Sequence, residues 1–149
     1  KNINIKNNLN HRMQLIYKLN NIKVYNDSKC TNLNNSVYKN NLIKSTKKIL
    51  ILGGKFKKQD KNLKFTIQNT LVLIFGLQTN LFINQIKFIN SNYFKFNNLT
   101  ELTNFLKLLI KLRKFEYILF SPGGESFDFY KNYSDRGNHF NQLVKKALF

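Results

Sequence analysis

Most of what this chain has little of excludes something. A single cysteine, Cys30, leaves no internal disulfide framework and fits a reducing compartment. One proline and six glycines in 149 residues are too few for a collagen-like or linker-like chain, and 42% hydrophobic residues with 14% aromatics are too many for a disordered one. No apolar run approaches the roughly 18 residues of a membrane span, Thr70 to Gly76 being the longest. Two histidines, His11 and His139, with one cysteine make no ligand cluster at metal spacing. There is no G-x-S-x-G elbow for a hydrolase and no G-K-[ST] ending for a phosphate loop. Acidic residues are scarce as well, seven against 25 Lys and Arg, which gives a net charge of +18.

That excess of charge has two readings. A strongly basic domain suggests a polyanionic partner. Yet Lys, Asn, Ile and Phe are inflated together, Ala147 is the only alanine, and arginine occurs only at Arg12, Arg113 and Arg136. The joint skew is that of an AT-rich genome, so many lysines are expected on solvated faces by drift, although lysine neutralises phosphates whatever put it there.

Short apolar runs alternate with amphipathic stretches, the pattern of an α/β fold. Arg12 to Leu19 and Ile22 to Tyr25 read as strands joined by an Asn20-Asn21 turn, since Asn tolerates positive φ. Asn32 to Lys44 reads as a helix. Lys48 to Leu52 and Leu71 to Phe75 read as buried strands ending at Gly53-Gly54 and Gly76, the first followed by a polar loop through Asp60. Leu77 to Ile86 reads as a short helix, and Lys87 to Phe96 as another short strand with its loop. Asn98 to Leu112 is the most regular helix, with Asn98 or Thr100 as N-cap. Tyr117 to Phe120 is a strand broken at once by Ser121-Pro122. Asp135 to Leu148 closes the chain as a helix carrying Phe140, Leu143, Val144 and Ala147 on one face.

In an open parallel sheet, ligands sit beyond the carboxyl ends of the strands. Three such loops are small and polar. Asn26 to Asn32 offers a carboxylate, an ammonium and two hydroxyls at a helix N-terminus, and serves equally as an ordinary N-cap turn. Gly53 to Asp60 is a glycine turn with a basic cluster, or a surface loop enriched in lysine. Ser121 to Phe127 lets backbone amides approach a ligand, or is simply a tight strand-to-helix connection.

Read in order, these loops resemble one family. His11-Arg12, Asn26-Asp27-Ser28-Lys29-Cys30-Thr31-Asn32, Leu52-Gly53-Gly54, Ser121-Pro122, Ser126-Phe127-Asp128 and Asp135-Arg136-Gly137-Asn138 are similar to the Mur ligases. The run Phe127 to Tyr133 followed by Arg136-Gly137 is most similar to their D-glutamate-adding branch. The resemblance extends from about Leu9 to the end and is to the carboxy-terminal domain. It implies a Rossmann-like, three-layer α/β sandwich with a mostly parallel sheet and an antiparallel N-terminal hairpin at its edge. Residues 1–10, an Asn/Lys tract, would be the interdomain linker, and 11–149 the substrate-binding domain. The chain opens on Lys1 rather than Met and is expected to be a piece of a longer one.

The resemblance also implies a function. Such a domain closes over an ATP-bearing central domain and brings in the amino acid. The ligase phosphorylates the carboxylate of UDP-N-acetylmuramoyl-L-alanine with ATP, and the amine of D-glutamate attacks the acyl phosphate, in peptidoglycan precursor synthesis. ATP and Mg²⁺ would be held mainly by the central domain, so this segment alone is expected not to catalyse. Carried over by position, Thr31, Lys57, Ser126, Phe127 and Tyr133 would hold D-glutamate, with Lys55 or Lys58 as alternatives to Lys57. Arg12, Asp27 and Lys29 would face the nucleotide. The chain departs from the family where Cys30 replaces Ala, where Gly123-Gly124-Glu125 replaces a small Ala-Cys-Ala-like run, and in the basic Lys55-Phe56-Lys57-Lys58. The Glu125 carboxylate would repel D-glutamate unless it points away or pairs with a lysine. The expected location is the cytoplasm of a bacterium, endosymbiont or organelle-like compartment with a reduced genome. The competing expectation is an orphan domain without catalysis, a basic structural or RNA-contacting component of a larger assembly.

Overall fold

The computed structural model describes residues 10–57 and 64–148. Most of the proposed linker tract, and Lys58 with the loop residues to Asp60, lie outside them. The chain runs β1 (Gln14–Leu19), β2 (Ile22–Asn26), α1 (Leu33–Leu42), β3 (Lys48–Gly53), β4 (Phe65–Gln68), β5 (Thr70–Phe75), α2 (Thr79–Ile83), β6 (Ile86–Ile89), β7 (Asn92–Phe96), α3 (Leu99–Lys111), β8 (Tyr117–Gly123) and α4 (Tyr133–Leu148). Six strands form the central sheet in the order β1-β2-β8-β3-β5-β7. Every pair in it is parallel except β1 with β2, so the Rossmann-like sandwich with an antiparallel edge is the observed architecture.

The central strands show why a parallel sheet forms. All six residues of β3 are buried, because helices cover both faces and leave no polar side to alternate with. On one face Ile49, Ile51, Leu73, Phe75, Ile118 and Phe120 pack against Leu102 and Leu106 of α3 and Phe140 and Val144 of α4. On the other, Leu50, Leu52, Val72, Ile74 and Leu119 pack against Leu33 and Val37 of α1, with Phe82 of α2 and Ile67 of β4.

That second layer is where the sequence reading needs correcting. The helix expected over Leu77 to Ile86 ends at Ile83, and Ile86 opens a strand instead. β4 and β6 make a separate two-stranded parallel ribbon, in which Phe65 pairs with Ile86 and Ile67 with Phe88. Alternation buries Ile67 and Ile86 in the layer beside α1, and four-residue strands are too short for that period to stand out from a helical one. β7 is likewise a full strand at the sheet edge, so the stretch from Lys87 to Phe96 holds most of β6 and all of β7 where one short strand with its loop was expected.

β8 also runs further than expected, through Ser121-Pro122 to Gly123. Pairing with β2 ends at Phe120, and the ladder with β3 is irregular before Gly53 meets Gly123. The missing proline N–H therefore falls where the ladder is already interrupted, a position strands tolerate. The turn at Asn20 has the expected positive φ, 54°. Asn98, not Thr100, caps α3 by accepting from the Glu101 amide at 2.9 Å, while Glu101 accepts back from the Asn97 amide at 3.0 Å. Among the described residues no helix is long and apolar enough to cross a membrane.

Candidate functional site

The carboxyl ends of β2, β8 and β3 converge on a groove of about 550 Å³. Its lining includes Arg12, Asp27, Lys29, Thr31 and Lys57, five of the eight residues singled out by position, with Lys39 added from α1. The groove thus joins residues expected at the amino acid with residues expected at the nucleotide.

The loop between β2 and α1 is built from within. Asn26, fully buried at the end of β2, accepts the Ser28 amide at 3.0 Å and donates to Gly137 O at 2.9 Å and Asn141 Oδ1 at 2.7 Å. Asn32 ends the loop as N-cap of α1, accepting from the Asn35 amide. Between them the Asp27 carboxylate is 1% exposed. Its Oδ1 accepts the Met13 amide at 3.0 Å, and its Oδ2 accepts Lys39 Nζ and Ser121 Oγ, each at 2.7 Å. Three charge-assisted bonds hold this anion in place, and Lys39 neutralises it. Cys30 is buried with its Sγ 3.3 Å from Ser36 Oγ.

Beneath the loop lies Arg136 of α4, fully buried. Its Nε donates to Ser28 Oγ at 3.1 Å, Nη2 to Ser28 O at 2.7 Å and Nη1 to Gly124 O at 2.8 Å. The guanidinium fork therefore ties the loop after β2 to the loop after β8. Burial pulls its pKa down to about 10, with Asp128 and Tyr130 opposing, so the cation persists at neutral pH. Gly54 explains its own identity here: with φ at 101°, a Cβ would stand 2.5 Å from Glu125 O and 2.9 Å from Arg136 Nη1.

The two altered loops meet. Lys55 and Glu125 form an isolated antiparallel bridge, Lys55 N donating to Glu125 O at 2.7 Å and Glu125 N to Lys55 O at 2.8 Å. Phe56 is buried against Phe82, and its amide donates to Gln78 Oε1 at 2.7 Å. This anchor sets the next residue at the groove, where Lys57 Nζ donates to Thr31 Oγ1 at 3.1 Å. Lys55 is exposed, and Lys58 lies outside the described residues.

The remaining three residues stand apart from the groove lining. Tyr133 adjoins it through Lys29, whose Nζ lies 4.1 Å from the ring centroid, and His11 meets the same ring edge-on. Ser126 is buried, whereas Phe127 is 67% exposed. Next to them the Asp128 carboxyl is pushed up by burial, only partly offset by the Phe129 amide, and its Oδ2 has no hydrogen-bond partner among the described residues.

Two side chains that hold these loops escaped the reading by position. Lys39 reaches Asp27 from the second turn of α1, twelve residues along the chain, and no loop pattern signals it. Arg136 stood inside a quoted motif without a role. Among the described residues no group of three or more His, Cys, Asp or Glu is placed to hold a metal. The groove's exposed cations suit phosphate or carboxylate oxygens, so the donor set fits the anionic parts of a nucleotide and not a Mg²⁺ ion.

Against known proteins, no family model matches the chain. It is 35% identical over 147 residues to a UDP-N-acetylmuramoylalanine--D-glutamate ligase of Prochlorococcus marinus, covering 94% of this chain and 31% of that protein. It is 34% identical to the enzyme of that name from Fervidobacterium nodosum, covering 94% and 33%, and 34% identical to that of Petrotoga mobilis, covering 93% and 32%. The chain spans about a third of the length of the curated relatives it matches. Over nearly all of its own length it is similar to proteins named UDP-N-acetylmuramoylalanine--D-glutamate ligase.

Proposed function

We propose that this Mur ligase domain is the carboxy-terminal, amino-acid-binding part of a ligase that joins D-glutamate to UDP-N-acetylmuramoyl-L-alanine at the expense of ATP. One observation carries the reading: a single groove unites Thr31 and Lys57 with Arg12, Asp27 and Lys29. In that groove Lys57 offers an ammonium, and Thr31 a hydroxyl 3.1 Å away, to a side-chain carboxylate of the amino acid. Ser126, Phe127 and Tyr133 complete the D-glutamate subsite when the neighbouring domain closes on this face. Arg12 and Lys29 point charge at nucleotide phosphates, and Asp27 accepts from nucleotide hydroxyls with the oxygen capacity that its three internal partners leave.

The chemistry belongs to the whole ligase. ATP supplies the phosphoryl group that activates the alanine carboxylate, and the D-glutamate amine displaces phosphate to form the amide. ATP and Mg²⁺ sit mainly on the central domain, residues 1–10 form the linker to it, and the enzyme works in the cytoplasm. The ligase reading is preferred to an RNA-contacting component because 34–35% identity to D-glutamate ligases covers the motif-bearing loops, whereas the RNA reading rests on net charge, the lack of a phosphate loop and the altered loops.

Lys57→Ala in the full-length ligase tests this. The expected result is a KM for D-glutamate raised by about tenfold or more, the loss of a charge-assisted contact, with the KM for ATP unchanged and the circular dichroism spectrum intact. Unchanged D-glutamate kinetics would remove Lys57 from the site.

A further inference from the structure

At the opposite end of the sheet lies a second concavity, of about 610 Å³. It is enclosed by the β1–β2 turn, the last turns of α3 and α4, and the residues entering β3 and β8. With six-residue strands between them, the two grooves are roughly 15–20 Å apart. Its floor is apolar: Ile22, Ile110, Phe115 and Leu148 are half-buried edges of the core beneath α3 and α4. Leu19 stands at its rim, 55% exposed.

Among the described residues, cations surround that floor without matching anions. Lys107, Lys111 and Arg113 line the groove and are exposed. The one carboxylate in the lining, Glu116, is already engaged, 3.7 Å from Lys47 Nζ and accepting Ser45 Oγ at 3.1 Å. An apolar slot rimmed by exposed positive charge is complementary to a segment that carries large apolar side chains between carboxylates.

We infer that this groove docks an acidic, apolar-anchored segment of a partner protein. A second copy of this chain is a poor occupant, since two molecules at +18 repel and each has only seven acidic residues. The surface is concave, which suits an inserted side chain and not the plane of a bilayer. Tyr17 and Phe115, the aromatics present, are half-buried in the core and offer no free ring faces on which bases could stack. The inference is independent of the ligase reading.

The probe is a fluorescein-labelled peptide with leucines spaced three and four apart among glutamates, titrated into the chain at physiological salt and read by anisotropy. Expected is saturable binding at least about tenfold tighter than that of the same peptide with its leucines replaced by serine. Lys107→Glu with Lys111→Glu and Arg113→Glu should weaken it by about tenfold or more, while Lys29→Glu at the other groove leaves it unchanged. Leu19→Ser should weaken it without adding charge, which separates the apolar anchor from general attraction. Circular dichroism of each variant keeps misfolding apart from lost binding. The inference is overturned by absence of binding, by equal binding of the serine peptide or of a single-stranded oligonucleotide, by preference for anionic phosphatidylglycerol vesicles, or by loss through Lys29→Glu alone.

Discussion

The two ends of the central sheet treat charge in opposite ways. At the carboxyl end Asp27 and Arg136 are taken inside and held by partners drawn from four separate segments of the chain. At the amino end Lys107, Lys111 and Arg113 stand exposed beside an apolar floor. An interior cation there, Lys48, donates to Asn40 O and Ile43 O, both at 2.8 Å, and so caps the last carbonyls of α1. Like Arg136, it is satisfied by carbonyl oxygens. The net charge is therefore not one property of the molecule. Some cations hold loops and helix ends in place, while others, such as Lys107, Lys111 and Arg113, stand exposed and are free to drift or to meet a partner.

The largest effect should come from Arg136→Met. It leaves Ser28 O and Gly124 O without their donor and unties the loops that carry the groove, a loss on the order of 3–5 kcal/mol in urea denaturation. Arg136→Lys should recover little, because an ammonium cannot span both carbonyls as the planar fork does. A loss under about 1 kcal/mol would erase the contrast between the two ends. Asp27→Asn follows, at about 2–3 kcal/mol, since it strips the charge from three bonds at once. In a double-mutant cycle with Lys39→Met the pair should couple by about 0.5 kcal/mol or more, and additive losses would mean that the 2.7 Å contact contributes no stability of its own.

Legibility in the sequence followed the range of the interactions. The buried strands and the α3 periodicity were readable because each depends on neighbours along the chain, and Asn98 and Asn20 announced a cap and a turn through their own backbone preferences. The β4–β6 ribbon was not, since its strands acquire their identity only by pairing with each other across α2. The same holds at the site. The motifs brought Arg12, Asp27, Lys29, Thr31 and Lys57 to one groove, but Lys39 enters through helix geometry and Arg136 through contacts more than a hundred residues away in sequence. Short-range signals located the loops, and only the fold revealed what stiffens them.

A smaller effect is expected from pH. Burial holds the imidazoles of His11 and His139 below their ordinary 6.5, with Lys146 adding to the effect at His139. The native state thus prefers them neutral. Their contribution is complete above about 6.5 and is lost as pH falls from there through the lowered folded values, because the unfolded chain takes up protons first. His11 is buried and His139 half-buried, and Tm should fall by a few degrees between pH 7.5 and 5.5. His139→Gln, which keeps a partner for the Tyr130 hydroxyl now 2.7 Å from Nδ1, should flatten part of that slope.

The smallest effect is the most discriminating. Lys107→Gln and Lys111→Gln remove as many charges as Arg136→Met and Lys39→Met together, yet among the described residues neither lysine holds a neighbour, and both are exposed. Their stability change should stay within about 0.5 kcal/mol, and its sign should favour the folded state, because a chain at +18 relieves self-repulsion when it sheds charge. That benefit should shrink as salt rises and screening replaces the substitution. If the exposed lysines instead proved as destabilising to lose as Lys39, both ends of the sheet would be using cations structurally, and the amino-end groove would be part of the scaffold and no longer a surface open to a partner.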